Sequence, residues 1–222
     1  MIKKIIFVAI LIIIAILFLF RDTEKQEISN NQEPEILVEN LDTPWAIDFL
    51  PDDKMIFTER TGRVNILDGG TKKIIGNIAV SEISESGLMG IAVDPEFEQN
   101  NFIYVYYTYD SGNRVSRFKL TEKLEEEFTV IEDIPSAMFH DGGRIKFGPD
   151  EKLYVTTGDA TEPSSAQDLN SLAGKILRIN KDGSIPSDNP FGNYVYSLGH
   201  RNPQGIAWNP KTKILYESEH GP

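Results

Sequence analysis

Ile47-Asp-Phe-Leu-Pro51, Ile91-Ala-Val-Asp-Pro95, Ile145-Lys-Phe-Gly-Pro149 and Ile206-Ala-Trp-Asn-Pro210 repeat one pattern, Ile-x-apolar-x-Pro. In an extended chain alternate side chains share a face, so both apolar residues of each copy point to one side of a sheet. Proline then ends the strand, because it has no N–H to donate. A second apolar run follows each copy: Met55-Ile-Phe-Thr58, Phe102-Ile-Tyr-Val-Tyr-Tyr107, Leu153-Tyr-Val-Thr-Thr157 and Ile214-Leu-Tyr216. These runs are aromatic and β-branched, as a strand prefers. A third strand follows in three of the four, opening Gly62-Arg-Val, Asn113-Arg-Val and Gly174-Lys-Ile. Units of three or four short strands, recurring about every 40–60 residues, predict the blades of a β-propeller. A β-sandwich is the alternative, but it has no reason to place one proline at the same point of four hairpins.

The repeats occupy the chain from about residue 36 onward. No segment there has a long helical period, and Thr121–Phe128, with Glu125-Glu126-Glu127, reads as a solvated connection. The fourth repeat reaches only its second strand at Pro222. A propeller closes its ring to remove its sheet edges. The expectation is therefore about three and a half blades, the front part of a longer protein.

The first 35 residues are different. Lys3 and Lys4 precede an unbroken apolar run, Ile5–Phe20. Such a run reads as a signal segment. With no small-residue cleavage site it is expected to stay as an anchor, its lysines in the cytoplasm and the body outside. Residues 21–35 are almost wholly polar and read as a flexible tether. The domain reading is thus 1–20 anchor, 21–35 tether and 36–222 partial propeller.

The chain has 222 residues and a formal net charge of −12. Most of that acidity belongs to the body, which would repel phosphate backbones, so no nucleic-acid partner is expected. There is no cysteine, which excludes disulfides, thiolate metal sites and a Cys nucleophile. Gly-x-Ser-x-Gly, Walker, His-Glu-x-x-His and EF-hand patterns are also absent.

Two loops stand just before repeat strands. Phe139-His-Asp-Gly-Gly-Arg144 offers an imidazole beside glycines that allow close backbone approach. Leu198-Gly-His-Arg-Asn-Pro-Gln-Gly205 offers a fixed cation, Arg201, and a neutral donor, Asn202. Their equivalent blade positions predict one shared mouth. A turn histidine and a blade-tying arginine are the plainer readings. Glu217-Ser-Glu-His-Gly-Pro222 holds oxygen ligands for a hard cation or is simply a solvated end. Gly158-Asp159-Ala160 reads as a strand-end turn, with Asp159 a possible channel residue.

These segments together resemble the soluble, pyrroloquinoline quinone (PQQ)-dependent glucose/sorbosone dehydrogenase family. The matching stretches are Pro44-Trp-Ala-Ile-Asp-Phe-Leu-Pro-Asp52, Gly87-Leu-Met-Gly-Ile-Ala-Val-Asp-Pro-Glu-Phe97, His140-Asp-Gly-Gly-Arg-Ile145, Gly174–Phe191, Gly199-His-Arg-Asn-Pro-Gln-Gly205 and Ser218-Glu-His-Gly-Pro222. The resemblance implies a propeller of the six-bladed type that oxidises a sugar or other alcohol and passes electrons to an unidentified acceptor. It implies PQQ and Ca²⁺ as cofactors. His140 is then the general base, with Arg201 and Asn202 facing the quinone and Arg201 also stabilising charge. Gly221 and Pro222 would give carbonyls to Ca²⁺. Glu85 stands where many relatives carry Gln, and would bring charge to the substrate. The family's later cations for the quinone carboxylates would lie beyond Pro222. A Ca²⁺-dependent hydrolase of lactonase type and a non-catalytic, membrane-tethered binding module stay open as other classes.

Overall fold

The computed structural model describes residues 34–221. The expected anchor, nearly all of the tether and Pro222 lie outside the described residues. Among the described residues no helix is long and apolar enough to cross a membrane. Leu37–Pro222 form one compact unit.

That unit is all-β. The first sheet comprises β1 (Pro44–Phe49), β2 (Met55–Glu59), β3 (Arg63–Asp68) and β4 (Thr71–Asn77). The second comprises β5 (Leu88–Val93), β6 (Phe102–Tyr109), β7 (Gly112–Leu120) and β8 (Leu124–Ile134). The third comprises β9 (Ile145–Phe147), β10 (Leu153–Thr157), β11 (Lys175–Ile179) and β12 (Val195–Leu198). A last pair, β13 (Pro203–Trp208) and β14 (Leu215–Glu219), begins the fourth. Neighbours within each sheet are consecutive and antiparallel. Each repeat proline falls two residues past the first strand of its sheet. The described helices are one turn, α1 (Phe97–Asn100), and a 3-10 turn at Pro163–Gln167.

The core decides between a propeller and a sandwich. One apolar cluster joins the second and third sheets through Tyr104, Tyr106, Ile145, Leu153 and Val155. Another joins the first and second through Ile56, Leu88, Ile103, Val105 and Tyr107. A smaller one, Tyr154, Ile176 and Ile206, joins the third and fourth. Strand β6 therefore sends alternate side chains into two different cores, as the period of two requires of a strand covered on both faces. Its unbroken run of aromatic and β-branched residues follows from that. The sheets pack serially, each on the next, as propeller blades do and a two-layer sandwich does not.

One expectation fails. Thr121–Phe128 is not a connection: Leu124–Ile134 is the long fourth strand of the second sheet, with Glu125–Glu127 inside it. Val130, Ile131 and Ile134 are buried while Glu126, Glu127, Phe128, Glu132 and Asp133 are exposed. Three register shifts against β7 break its alternation, which hides the period of two.

The first strands of successive sheets, β1 with β5 and β5 with β9, lie against one another. The loops that enter those strands are thereby drawn together, and the loop before β9, which carries His140, is one of them.

Candidate functional site

Three inter-blade loops meet: residues 78–87 before β5, 135–144 before β9 and 199–202 before β13. The His140 N–H donates to Glu85 Oε2 at 2.9 Å, and Asn202 Nδ2 donates to the same oxygen at 3.4 Å. The Gly142 N–H donates to Asn202 Oδ1 at 3.0 Å, and Gln204 Nε2 donates to that atom at 2.9 Å. Glu85, His140 and Asn202 thus form one network although they are far apart in the chain. Asn202 is buried and its amide oxygen is fully used.

His140 sits in the left-handed region at φ 66°. A non-glycine residue rarely adopts that conformation, and it is strained unless its surroundings hold it. Here the neighbouring loops do. The His140 carbonyl accepts from the Ala160 N–H at 3.2 Å. Its ring Nδ1 lies 2.8 Å from Asp159 Oδ1, an oxygen that also accepts the Thr161 N–H at 2.8 Å. An ionised carboxylate only accepts, so Nδ1 carries the proton, and in the neutral imidazole Nε2 then presents a lone pair. Asp159 is buried and the His140 side chain is mostly so, which fixes the pair. Gly158 lets the two loops approach: a Cβ there would stand 1.7 Å from the His140 carbonyl oxygen.

Arg201 belongs to the same loop layer. Its carbonyl accepts from the Asp159 N–H at 2.8 Å, and its own N–H donates to Glu219 Oε2 at 3.0 Å. The guanidinium donates to the carbonyls of His220 at 3.2 Å and Gly221 at 3.4 Å. The expected cation and the expected metal-ligand carbonyl are therefore adjacent and bonded to each other. Glu217 and Glu219, two residues apart on one face of β14, bring carboxylates 3.9 and 3.7 Å from His200 Nδ1. Burial and the Glu219 charge raise the Glu217 carboxyl above its ordinary range.

Beside this network lies a cavity of about 260 Å³ whose wall includes Trp45, Arg60, Glu85, Asp141, Asn202 and His220. His140 reaches it through Glu85 and through the His220 ring, 6.3 Å away between centroids. Burial pushes the Asp141 carboxyl up, and the Glu85 charge adds to that. A larger cavity, about 470 Å³, lies between the first and second sheets near Ile78, Tyr107 and Arg114, and none of Glu85, His140, Asp159, Arg201 and Asn202 lines it.

A model of the glucose / sorbosone dehydrogenase family matches residues 41–222. The chain belongs to that family. Among its relatives, quinoprotein glucose dehydrogenase B of Acinetobacter calcoaceticus is 35% identical, covering 87% of this chain and 49% of the relative. The aldose sugar dehydrogenase YliI of Escherichia coli is 34% identical over 85% of this chain and 56% of its own length. A putative oxidoreductase (glucose dehydrogenase) from Thermus thermophilus superposes with a TM-score of 0.82 at 46% identity, covering 85% of this chain and 61% of that one. The PQQ-bound aldose sugar dehydrogenase of Streptomyces coelicolor gives 0.82 at 38%, covering 85% and 59%. The chain spans about half the length of the curated relatives it matches.

Within this chain, Asp159 is the functional candidate that the sequence reading gave as a turn residue able to face the channel, without its partner His140. No fixed spacing joins residues 140 and 159, so only the packing of two loops reveals the pair. Asp141 was passed over as one letter of a motif, yet its burial sets it apart.

Proposed function

We propose that these loops serve the PQQ-dependent oxidation of a sugar or another alcohol. The observation that carries the reading is the His140–Asp159 pair, with Nδ1 held at 2.8 Å and Nε2 free of any protein partner among the described residues. Fixed in that tautomer, His140 accepts the substrate hydroxyl proton at Nε2, and Asp159 steadies the imidazolium that results.

The donor set suits PQQ: a basic imidazole, the Arg201 guanidinium and the Asn202 amide stand in adjoining loops. PQQ, when bound, supplies the hydride acceptor. Arg201 orients a planar anionic group through its fork of N–H donors and meets negative charge on an oxygen. Two of its contacts already go to the His220 and Gly221 carbonyls, which fix its position. The described residues meet Ca²⁺ less fully than PQQ. Gly221 is the one described residue of the expected pair, and its carbonyl faces a guanidinium. Ca²⁺ takes about six to eight oxygen ligands.

We also place Ile5–Phe20 as a membrane anchor holding the body outside the cytoplasm, on the strength of Lys3, Lys4 and the apolar run that follows. Membrane fractionation tests this, and a soluble form lacking those residues would oppose it.

PQQ and Ca²⁺ added to the protein, with a sugar and a redox dye, test the activity. In a protein with its ring complete, sugar-dependent dye reduction is expected. His140→Ala should abolish it while leaving PQQ uptake, measured by absorbance, intact; Arg201→Ala should impair both. Full turnover in His140→Ala would overturn the assignment of the base.

A further inference from the structure

The cavity of about 470 Å³ between the first and second sheets shares no lining residue with the cavity beside His140. Its size falls within the roughly 300–1,000 Å³ usual for small-molecule sites. Arg114 of β7 stands in its wall. The guanidinium lies over the Tyr109 ring, 3.6 Å from the centroid, and its Nη2 is 3.2 Å from Glu132 Oε2. The side chain is 22% exposed, and Nε is the one nitrogen of the group that is buried without a partner. The terminal nitrogens therefore face accessible space, and Nη1 meets no acceptor among the described residues. Two carboxylates share the wall. Glu127 Oε1 accepts from the Tyr107 hydroxyl at 2.7 Å and the Ser116 hydroxyl at 2.9 Å, and Asp110 Oδ1 accepts from the Ser81 hydroxyl at 3.2 Å. Both residues are exposed, and among the described residues no donor reaches Glu127 Oε2 or Asp110 Oδ2. Ile78, Phe118 and Leu124 add an apolar strip. Spare donors and spare acceptors thus border one space with an apolar side.

We propose that this cavity binds a neutral sugar, at a site separate from the loops around His140 and independent of the reading given for them. A hydroxyl both accepts and donates, so a ring bearing several of them answers Arg114 with lone pairs and Glu127 and Asp110 with protons. The C–H face of the same ring meets the apolar strip. An anion answers Arg114 alone and is repelled by Asp110, Glu127 and Glu132. An ammonium answers the carboxylates alone, and leaves the guanidinium donors unmet beside a like charge. The sugar comes free from solution or as the end of an oligosaccharide; both carry the same rim of hydroxyls.

Amide NMR of the full chain, without PQQ and in a detergent that carries no sugar, tests this with four probes: glucose, maltotriose, gluconate and ammonium chloride. Glucose is expected to shift the amides of Ala79, Val80 and Ser81 and the Arg114 side chain, saturating with a Kd below about 10 mM. Asp110→Asn, at an exposed position, should weaken that binding by about tenfold, the scale of one charged hydrogen bond. Arg114→Gln should do the same, with circular dichroism confirming its fold. Maltotriose binding about tenfold more tightly than glucose would identify an oligosaccharide as the source. Equal or weaker maltotriose binding would identify the free sugar, and either result keeps the site. No saturable shift at Ala79–Ser81 below about 10 mM glucose or maltotriose overturns the proposal. So does unchanged affinity in either variant, or gluconate or ammonium binding as tightly as glucose. Glucose shifts confined to the loops around Glu85, His140 and Asn202 would remove this site and leave the sugar dehydrogenase reading standing.

Discussion

Replacing Lys175 with Met is expected to destabilise the protein by about 2–4 kcal/mol. Lys175 opens β11, and none of its side chain reaches solvent. Its ammonium donates to the carbonyls of Ser165 at 2.7 Å, Ala166 at 3.0 Å and Ala173 at 2.6 Å. Each bond from a charged donor is worth about 1.5–3 kcal/mol, so the gross loss is roughly 4–9. Two terms reduce it. Ser165 and Ala166 keep second donors, the N–H groups of Asp168 and Gly199, leaving only the Ala173 carbonyl orphaned. Methionine also removes the penalty of burying an ammonium, about several kcal/mol. Burial lowers the Lys175 pKa below its ordinary 10.5, so the unfolded chain holds this proton to a higher pH than the folded one. Stability should accordingly rise with pH across that window, and Lys175→Met should lose the rise. Urea denaturation at several pH values measures both effects. The slope m should stay constant while the midpoint falls. A variant as stable as wild type at pH 7 would refute the reasoning, for then desolvation outweighs three charged hydrogen bonds.

Gly158→Ala would place a methyl 1.7 Å from the His140 carbonyl oxygen, and a loss of about 3 kcal/mol or more is expected in urea melts, with altered His140 ring resonances. Asp159→Asn keeps the shape but lets an amide donate to Nδ1; nitrogen NMR should then report the Nε2–H tautomer, and dye reduction in the PQQ-loaded protein should fall by roughly 10³–10⁴. Glu59 is buried, and burial alone would raise its carboxyl. Its bonds from Arg63 at 2.8 Å and Asn65 at 3.1 Å, with the Asp42 N–H, outweigh that and leave it below the ordinary 4.5. The stabilisation is therefore fully present above pH 4.5 and is lost as pH falls through the depressed value. Glu59→Gln should flatten the acid limb of the stability profile, and an unchanged limb would show that this cluster does not titrate on unfolding.

The repeat was legible because its signal is local. Proline stops a strand two residues past its end in every sheet, and strands buried on both faces carry unbroken apolar runs. The fourth strands were not legible. β4 begins Thr-Lys-Lys, β8 carries four glutamates and three register shifts, and β12 has only four residues. Outer strands face water on one side, so their composition resembles that of loops. In the site, His140, Arg201 and Asn202 were marked by motif, and their convergence by equivalent blade position. Asp159 was not, because nothing local distinguishes a turn aspartate from one that meets a ring brought in from another loop.

This contrast also explains how the network is stabilised. His140 holds a left-handed conformation that an isolated chain would avoid. Ala160 and Thr161, in the loop that carries Asp159, are left-handed as well. None of the three is held by its own strand. The His140 N–H is answered by Glu85 from the loop before β5. Its carbonyl is answered by Ala160, and its ring by Asp159, both from the loop after β10. The Asp159 N–H is answered in turn by Arg201 from the loop before β13. The strain at His140 and Ala160 is thus offset by contacts from a neighbouring loop, and three sheets must dock before the imidazole acquires its orientation. Any substitution that loosens β5 against β9, or β10 against β13, should therefore release the His140 tautomer before it unfolds a sheet.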